Sequence, residues 1–452
     1  METKTLHRGR ILMLPWLAQG HILPYFELAN RLSHQNFQVH ICSTPINLKF
    51  IREKSYCKFS SSIQLIDLQL PSSFSQELPP QYHTTKDLPP HLHATLMTAF
   101  DAAKPAFLEI LKALKPDLLI YDLFQPWAPQ LAIQLNIGAI MFLTCGAASL
   151  CFLLHYCKGS DIEFPFLEMS IPEIEFRKFN QFINSSVNGT VNKDRFLECQ
   201  ARSSNMILIK TSREIEAKYI DYLSLLLGKQ MVPVGFLVQE STNMDRDTAI
   251  MDWLSKKEPS SVVYVSFGTE YSLTEEEINE IAHGIELSLV SFIWIVRFRN
   301  GDKKTIDEAL PEGFQERTGE RGLIVEGWVP QAEILGHPSI GGFVSHCGWG
   351  STLEAITSGV PIIAIPMVVD QPFNAKLVVD MGVGTAVPRE NEKLIKREEV
   401  ARVIKEVVML QEGKQVRRKA KELSDRMRHK IADEEMDVVV NKLVQSFVKE
   451  SS

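Results

Sequence analysis

Three stretches of the chain hold side chains able to do chemistry. PWLAQGHILP (residues 15–24) ends an apolar run with an ionisable ring, His21, set directly after a glycine. LLIYDLF (118–124) carries Asp122 at the end of a second apolar run. WVPQAEILGHPSIGGFVSHCGWGSTLEAITSGVPIIAIPMVVDQ (328–371) mixes glycines, hydroxyls, two histidines and three acids. An imidazole titrates near neutrality and suits the removal of a proton from a hydroxyl. A carboxylate at the end of a neighbouring parallel strand can orient that ring and balance its charge. Taken alone, a histidine at a strand end is more often structural, so its surroundings must decide between the two readings.

The third stretch has the parts of a nucleotide-sugar site. GGFVSHCGWGSTLEAI (341–356) reads as strand, glycine-rich turn and helix. A helix start at Gly350–Ser351 offers N–H groups and the positive dipole end to a diphosphate, and glycines let the backbone approach closely. Trp328 can stack on a flat base. Glu354, one turn into the helix, can accept from ribose hydroxyls. Asp370 and Gln371 close a loop with groups suited to sugar hydroxyls.

The elements that must position these residues alternate along the chain. Strands are predicted at 10–17, 37–44, 63–70, 117–124, 138–144, 206–212 and 232–238, with a helix at 24–35. The pattern restarts at 261–269, 291–297, 322–329, 341–348 and 361–367. Strand–helix alternation with continuous apolar strands predicts parallel sheets covered on both faces. Two α/β halves follow: 1–238, a linker at 239–250, then 251–430, with a closing helix at 431–452. They imply a cleft, with ligands at the carboxyl ends of strands.

Composition narrows the function. The chain has 452 residues and a formal net charge of −7, which argues against nucleic acid as the main partner. The basic run 414–430 reads as a solvated helix face. Seven scattered cysteines predict a reducing, cytoplasmic setting. The apolar tract 137–156 reads as strand, turn and helix rather than a membrane span, so no stable membrane insertion is expected. The basic and apolar start resembles a signal peptide but is interrupted by Pro15. Asn184 and Asn188 begin chance N-x-[ST] matches. His91 and His93, in the Pro-rich stretch 71–93, lack partners at metal-binding spacing. Asp245-Arg246-Asp247 is formally a D-x-D metal motif but falls in the linker.

Residues 328–371 resemble the 44-residue donor-binding signature of plant family-1 UDP-sugar glycosyltransferases. The stretch opens on W-x-P-Q, contains H-C-G-W-x-S-T-x-E and closes on D-Q. The resemblance extends to the N-terminal half through PWLAQGHI. It implies the GT-B fold, two Rossmann-like domains facing a cleft, with acceptor in the first and donor in the second. It implies that Trp328 stacks on uracil and the Val329 backbone reads the base edge. Gln331 and Glu354 would hold ribose. His346, Ser351 and the adjacent backbone would hold the diphosphate, with Ser266 in a second phosphate loop. Trp349, through its backbone, Asp370 and Gln371 would hold the sugar, and Thr144 would contact it from the other domain. His21 would be the general base and Asp122 its partner, giving inversion without a metal or other cofactor. A closing Gln in this family usually accompanies UDP-glucose.

Gly350 departs from the Asn common at that place, leaving the backbone N–H to serve alone. This feature and PWLAQGHI resemble the branch-forming subgroup that adds sugar to sugar, including glucosyltransferases of triterpenoid glycosides such as mogrosides. The expectation is a monomeric UDP-glucose-dependent enzyme acting on a small-molecule glycoside. Transfer to a bare aglycone is the alternative, and a non-catalytic UDP-sugar-binding protein a further one. A nucleotide-sugar epimerase or hydrolase would need further acids in the cleft. A dinucleotide-dependent oxidoreductase would need G-x-G-x-x-G after the first strand, where AQGHILP stands. The acceptor's identity is left to loops 71–99 and 157–195.

Overall fold

All strands of the two principal sheets run parallel, as buried apolar runs joined by helical crossovers require. The computed structural model describes residues 8–54, 62–159, 163–238, 248–297, 305–390, 394–428 and 431–449. The chain divides into two units. One comprises Met1–Ile162, Phe179–Leu237 and Ile431–Ser452, the other Glu163–Lys178 and Val238–Lys430.

The first unit holds β1 (Arg10–Leu14), β2 (Gln38–Ser43), β3 (Ile63–Asp67), β4 (Leu118–Tyr121), β5 (Gly138–Leu143), β6 (Met206–Ile209) and β7 (Gln230–Pro233). Their spatial order is β3-β2-β1-β4-β5-β6-β7. The order reverses between β1 and β4, where Leu14 pairs with Tyr121. Helix α1 (Gln19–His34) buries Ile22, Tyr25, Phe26, Leu28, Ala29 and Leu32, and places Arg31 and His34 in its last turn, where they complement the dipole. Helix α2 (Ala147–Cys157) follows β5, and α3 (Arg213–Leu227) follows β6.

The second unit holds β8 (Val262–Ser266), β9 (Ser291–Val296), β10 (Gly322–Glu326), β11 (Ile340–Ser345), β12 (Ile362–Ala364) and β13 (Gly384–Ala386), ordered β10-β9-β8-β11-β12-β13. The reversal falls between β8 and β11, where Ser266 pairs with Ser345. Helices α4 (Gln331–Leu335), α5 (Trp349–Ser358) and α6 (Gln371–Asp380) surround the strand ends. Helix α7 (Ile431–Lys449) contributes Met436, Val439, Val440 and Leu443 to the core of the first unit.

Several predicted strands run too long. β1 stops at Leu14 because Pro15 has no N–H to donate to the ladder. β12 covers 362–364, between Pro361 and Pro366. β10 ends at Glu326, before Gly327 at φ 92°, so Trp328 lies beyond the strand. Helix α1 starts five residues before Pro24 and takes His21, read from the sequence as lying at a strand end, into its first turn. β13, short and lacking apolar alternation, was not predicted. Residues 163–178 were predicted within the first half. They group with the second unit, and Leu167–Met169 packs against α6. The linker at 239–250 and the D-x-D at 245–247 fall outside the described residues as far as 247, and Thr248–Leu254 is already helical.

Candidate active site

In the first unit, three consecutive strands of the sheet deliver three side chains to one point. β1 leads into α1, whose first turn carries His21. Asp122 is the first residue past β4, and Thr144 the first past β5. This is the point where the strand order reverses, the usual ligand position in a doubly wound sheet. His21 Nδ1 lies 2.8 Å from Asp122 Oδ2 and 3.1 Å from Thr144 Oγ1. Asp122 has no solvent exposure. Its carboxylate accepts from the Trp16 N–H at 3.0 Å and the Leu123 N–H at 2.7 Å. A buried carboxylate needs such partners, and here it accepts only from N–H groups, so His21 carries its proton on Nδ1. The basic lone pair of the neutral ring then belongs to Nε2. Phe124 and Trp16 pack against each other beside the pair, with ring centroids 5.2 Å apart and planes tilted by 58°.

The second unit assembles a different chemistry at its own reversal point. Helix α5 begins at Trp349 after Gly348 with no side-chain cap, so its first-turn N–H groups face outward from the helix end. Gln331 Nε2 donates to Ser351 Oγ at 3.0 Å and to Glu354 Oε2 at 2.7 Å, while Tyr264 donates to Gln331 Oε1 at 3.2 Å. These contacts join α4, α5 and β8 in one polar network. Trp328 is 49% exposed, and Val329 beside it is buried. Ser266 ends β8 and is buried.

His346 follows β11 and is buried, with Nδ1 making no hydrogen bond among the described residues. Burial pushes its pKa down to about 4; the Ser266 backbone opposes the shift and Arg297 adds to it. The ring is therefore neutral at physiological pH. Two glycines make room for it: a Cβ on Gly268 or on Gly348 would fall 2.5 Å from Nε2. Gln371 Oε1 accepts from the Met367 and Val368 N–H groups, both at 2.9 Å, which aims its amide nitrogen the other way. Two non-glycine residues with left-handed backbone flank this region, Cys347 at φ 63° and Val369 at φ 57°. Such outliers cost about 1–3 kcal/mol each and cluster at functional loops.

Each sequence-predicted residue thus falls into one of two groups: His21, Asp122 and Thr144 in the first unit; Ser266, Trp328, Val329, Gln331, His346, Trp349, Gly350, Ser351, Glu354, Asp370 and Gln371 in the second. The structure adds Asn374, whose Nδ2 donates to Cys347 O and to Asp370 Oδ2, both at 3.0 Å, tying the two strained loops together. Tyr264 was likewise not singled out, because a tyrosine inside the apolar run SVVYVSFGT reads as core. Among the described residues no group of three or more His, Cys, Asp or Glu side chains is placed to hold a metal ion. Likewise, no helix among them is long and apolar enough to cross a membrane.

Comparison with known proteins places this geometry in context. The family profile described as "Glycosyltransferase, N-terminal domain" matches residues 9–236, and that described as "UDP-glucoronosyl and UDP-glucosyl transferase" matches 241–437. The chain is 55% identical to a flavanone 7-O-glucoside 2''-O-beta-L-rhamnosyltransferase of Citrus maxima, covering 100% of both. It is 49% identical to a mogroside IIIx synthase of Siraitia grosvenorii, covering 97% of this chain and 98% of that one. A solved structure, Phytolacca americana UGT2 complexed with UDP-2fluoro-glucose and pterostilbene, matches with a TM-score of 0.77 at 26% identity, covering 97% and 99% of the two chains.

Proposed function

This chain belongs to the plant family-1 UDP-sugar glycosyltransferases, enzymes of the GT-B fold, and from that premise we propose that it moves glucose from UDP-glucose to a hydroxyl of a sugar already carried by a small-molecule glycoside. The observation that carries the reading is the His21–Asp122 pair at 2.8 Å. Nε2 takes the proton of the acceptor hydroxyl as that oxygen bonds to the anomeric carbon. The bond from the same carbon to the diphosphate oxygen breaks, and UDP leaves. The imidazolium is balanced by Asp122 and later releases its proton to solvent. A single displacement inverts the configuration, so an α-linked donor yields a β-glycoside. A base of this kind contributes about 10²–10⁴-fold.

The second unit supplies the donor contacts. Trp328 stacks on uracil and the Val329 backbone reads its edge. Gln331 and Glu354 hold ribose. The N–H groups of Gly350 and Ser351, the neutral His346 ring and Ser266 receive the diphosphate, where preorganised donors stabilise a developing charge. Asp370, the Gln371 amide nitrogen, the Trp349 backbone and Thr144 hold the sugar. In this reading no metal or other cofactor takes part, the enzyme works as a cytoplasmic monomer, and the acceptor is a glycoside such as a triterpenoid monoglucoside.

A second reading concerns the donor. The 55% identity to a rhamnosyltransferase favours UDP-rhamnose in place of UDP-glucose. One experiment separates the readings: product mass and linkage with each donor, against a triterpene aglycone, its monoglucoside, a flavanone 7-O-glucoside and a flavonol, with His21→Ala as control. Glucosylation of the glycosides alone, abolished in His21→Ala, supports the first reading. Turnover with UDP-rhamnose alone would replace the donor, preferred turnover of aglycones would replace the acceptor class, and activity surviving in His21→Ala would remove the base.

A further inference from the structure

Glu216 is a carboxylate with no solvent exposure, distant in sequence from every residue of the site. Its Oε2 accepts from the Ala147 N–H at 2.8 Å and from Thr211 Oγ1 at 2.6 Å, and its Oε1 accepts from the Ala148 N–H at 2.7 Å. Ala147 and Ala148 open α2, whose first N–H groups have no partners within the helix. Gly146, which precedes them, offers no side-chain cap. A carboxylate brought from α3 therefore does the capping, where the helix dipole favours negative charge. Thr211 lies just past β6, so the same group joins the ends of two neighbouring strands. The backbone of Glu216 is non-helical, φ −131° and ψ 22°, inside a helix. The helix gives up its regularity at the residue whose carboxylate caps α2.

The turn between β5 and α2 spans Thr144 to Gly146, and its first residue holds a hydroxyl 3.1 Å from His21 Nδ1. We propose that Glu216 is a positioning residue for the transfer reaction: by clamping Ala147 and Ala148 it fixes the turn that sets the Thr144 hydroxyl against the His21 ring. The inference rests on the reading of His21 as the base. It asks for a carboxylate specifically. Three donors converge on two oxygens, and a carboxamide in their place must turn its NH₂ toward an N–H or O–H donor.

The test is a double-mutant cycle of Glu216→Gln with Thr144→Ala, read in kcat and in donor KM. Glu216→Gln alone lowers kcat on the order of 10- to 100-fold, the range expected for a small misplacement of reacting groups, and shifts donor KM by no more than Thr144→Ala does, because its effect passes through Thr144. In the Thr144→Ala background the same change costs less than about threefold, because its target is already gone. Additive effects, or an unchanged kcat in Glu216→Gln, would overturn the proposal. Should Glu216→Gln fail to fold, Thr211→Val removes one of the three donors, leaves the carboxylate in place and carries the same cycle. A His21→Ala variant run in parallel separates the two failures. Its retained activity would remove the base itself, whereas an additive cycle with His21→Ala inactive removes only the role of Glu216.

Discussion

Replacing Asp122 by Asn keeps the shape of the side chain and removes its charge. The carboxylate accepts three hydrogen bonds, from Trp16 N–H at 3.0 Å, Leu123 N–H at 2.7 Å and His21 Nδ1–H at 2.8 Å. A carboxamide has one acceptor oxygen. With that oxygen in the Oδ2 position, the NH₂ group meets the Leu123 N–H head-on, and one buried donor is lost at about 1–3 kcal/mol. With the amide reversed, the NH₂ group faces Trp16 and His21, and the ring must present Nδ1 as acceptor. The proton then sits on Nε2, and the ring cannot act as a base. In both orientations the imidazolium formed during transfer loses its carboxylate. At 2.8 Å and an effective dielectric of about 20, that attraction is ~6 kcal/mol, part of which the amide dipole and nearby water restore. The expected loss in kcat is roughly 10³- to 10⁴-fold, or ~4–5.5 kcal/mol of barrier. The assay is initial-rate UDP release at saturating donor and acceptor, with UDP affinity by calorimetry as a control that stays within about twofold. An Asp122→Asn enzyme with kcat within tenfold of the parent would refute the argument.

Three further outcomes follow from the geometry. His40, in β2, is 2% exposed, and neither of its ring nitrogens has a hydrogen-bond partner among the described residues. Burial, reinforced by Arg10, lowers its pKa to about 4, the same value as His346. The unfolded chain binds these protons near pH 6.5 and the folded chain near 4. Stability contributed by the neutral rings is thus whole above pH 6.5 and falls by about 1.4 kcal/mol per pH unit per group as the pH drops toward 4. His40→Leu removes one such group, and urea midpoints between pH 4 and 7.5 will show a flatter acid slope; an unchanged slope refutes the assignment. Gly348→Ala puts a Cβ 2.5 Å from His346 Nε2, an overlap worth about 1–3 kcal/mol, and calorimetry will record at least a fivefold loss of UDP affinity, roughly the lower bound of that range. Trp328→Ala deletes a half-exposed ring, so the melting temperature shifts by less than about 3 °C. Donor KM rises roughly 5- to 100-fold from lost base stacking, and an unchanged KM would remove Trp328 from the donor site.

Much of this was legible because parallel strands buried on both faces declare themselves as unbroken apolar runs. A polar residue at or just beyond the end of such a run is then a candidate ligand group, which is how His21 and Asp122 could be singled out, whereas Thr144 was marked only by the family resemblance. The glycine-rich 341–356 stretch was legible for a related reason: a strand ending in a sharp turn and a helix start has few other uses. Strand ends were harder, since Pro15 and Pro366 cut the ladder while the apolar character ran on. Glu216 was invisible, because REIEAKYID reads as a solvated helix and its function depends on a kink and on two alanines elsewhere in the chain. Asn374 and the buried Asp101–Arg195 pair, with both oxygens bonded at 2.9 Å, are likewise products of long-range packing. No local pattern distinguishes them from ordinary surface residues.

The first unit is assembled from separated parts of the chain, and one of them is α7. This has a consequence for biosynthesis. A ribosome delivers all seven strands of the first sheet early, then the whole of 238–430, and only afterwards Met436, Val439, Val440 and Leu443, which belong to the first core. Domains usually fold in the order in which they emerge. Here the later unit can close while the earlier one still waits with an apolar face uncovered. A premature stop within the second unit therefore spoils both halves of the protein: it truncates the one being made and withholds the final core residues from the one already made. Messages truncated in this way would yield chains marked for chaperone capture or proteolysis rather than a stable N-terminal fragment.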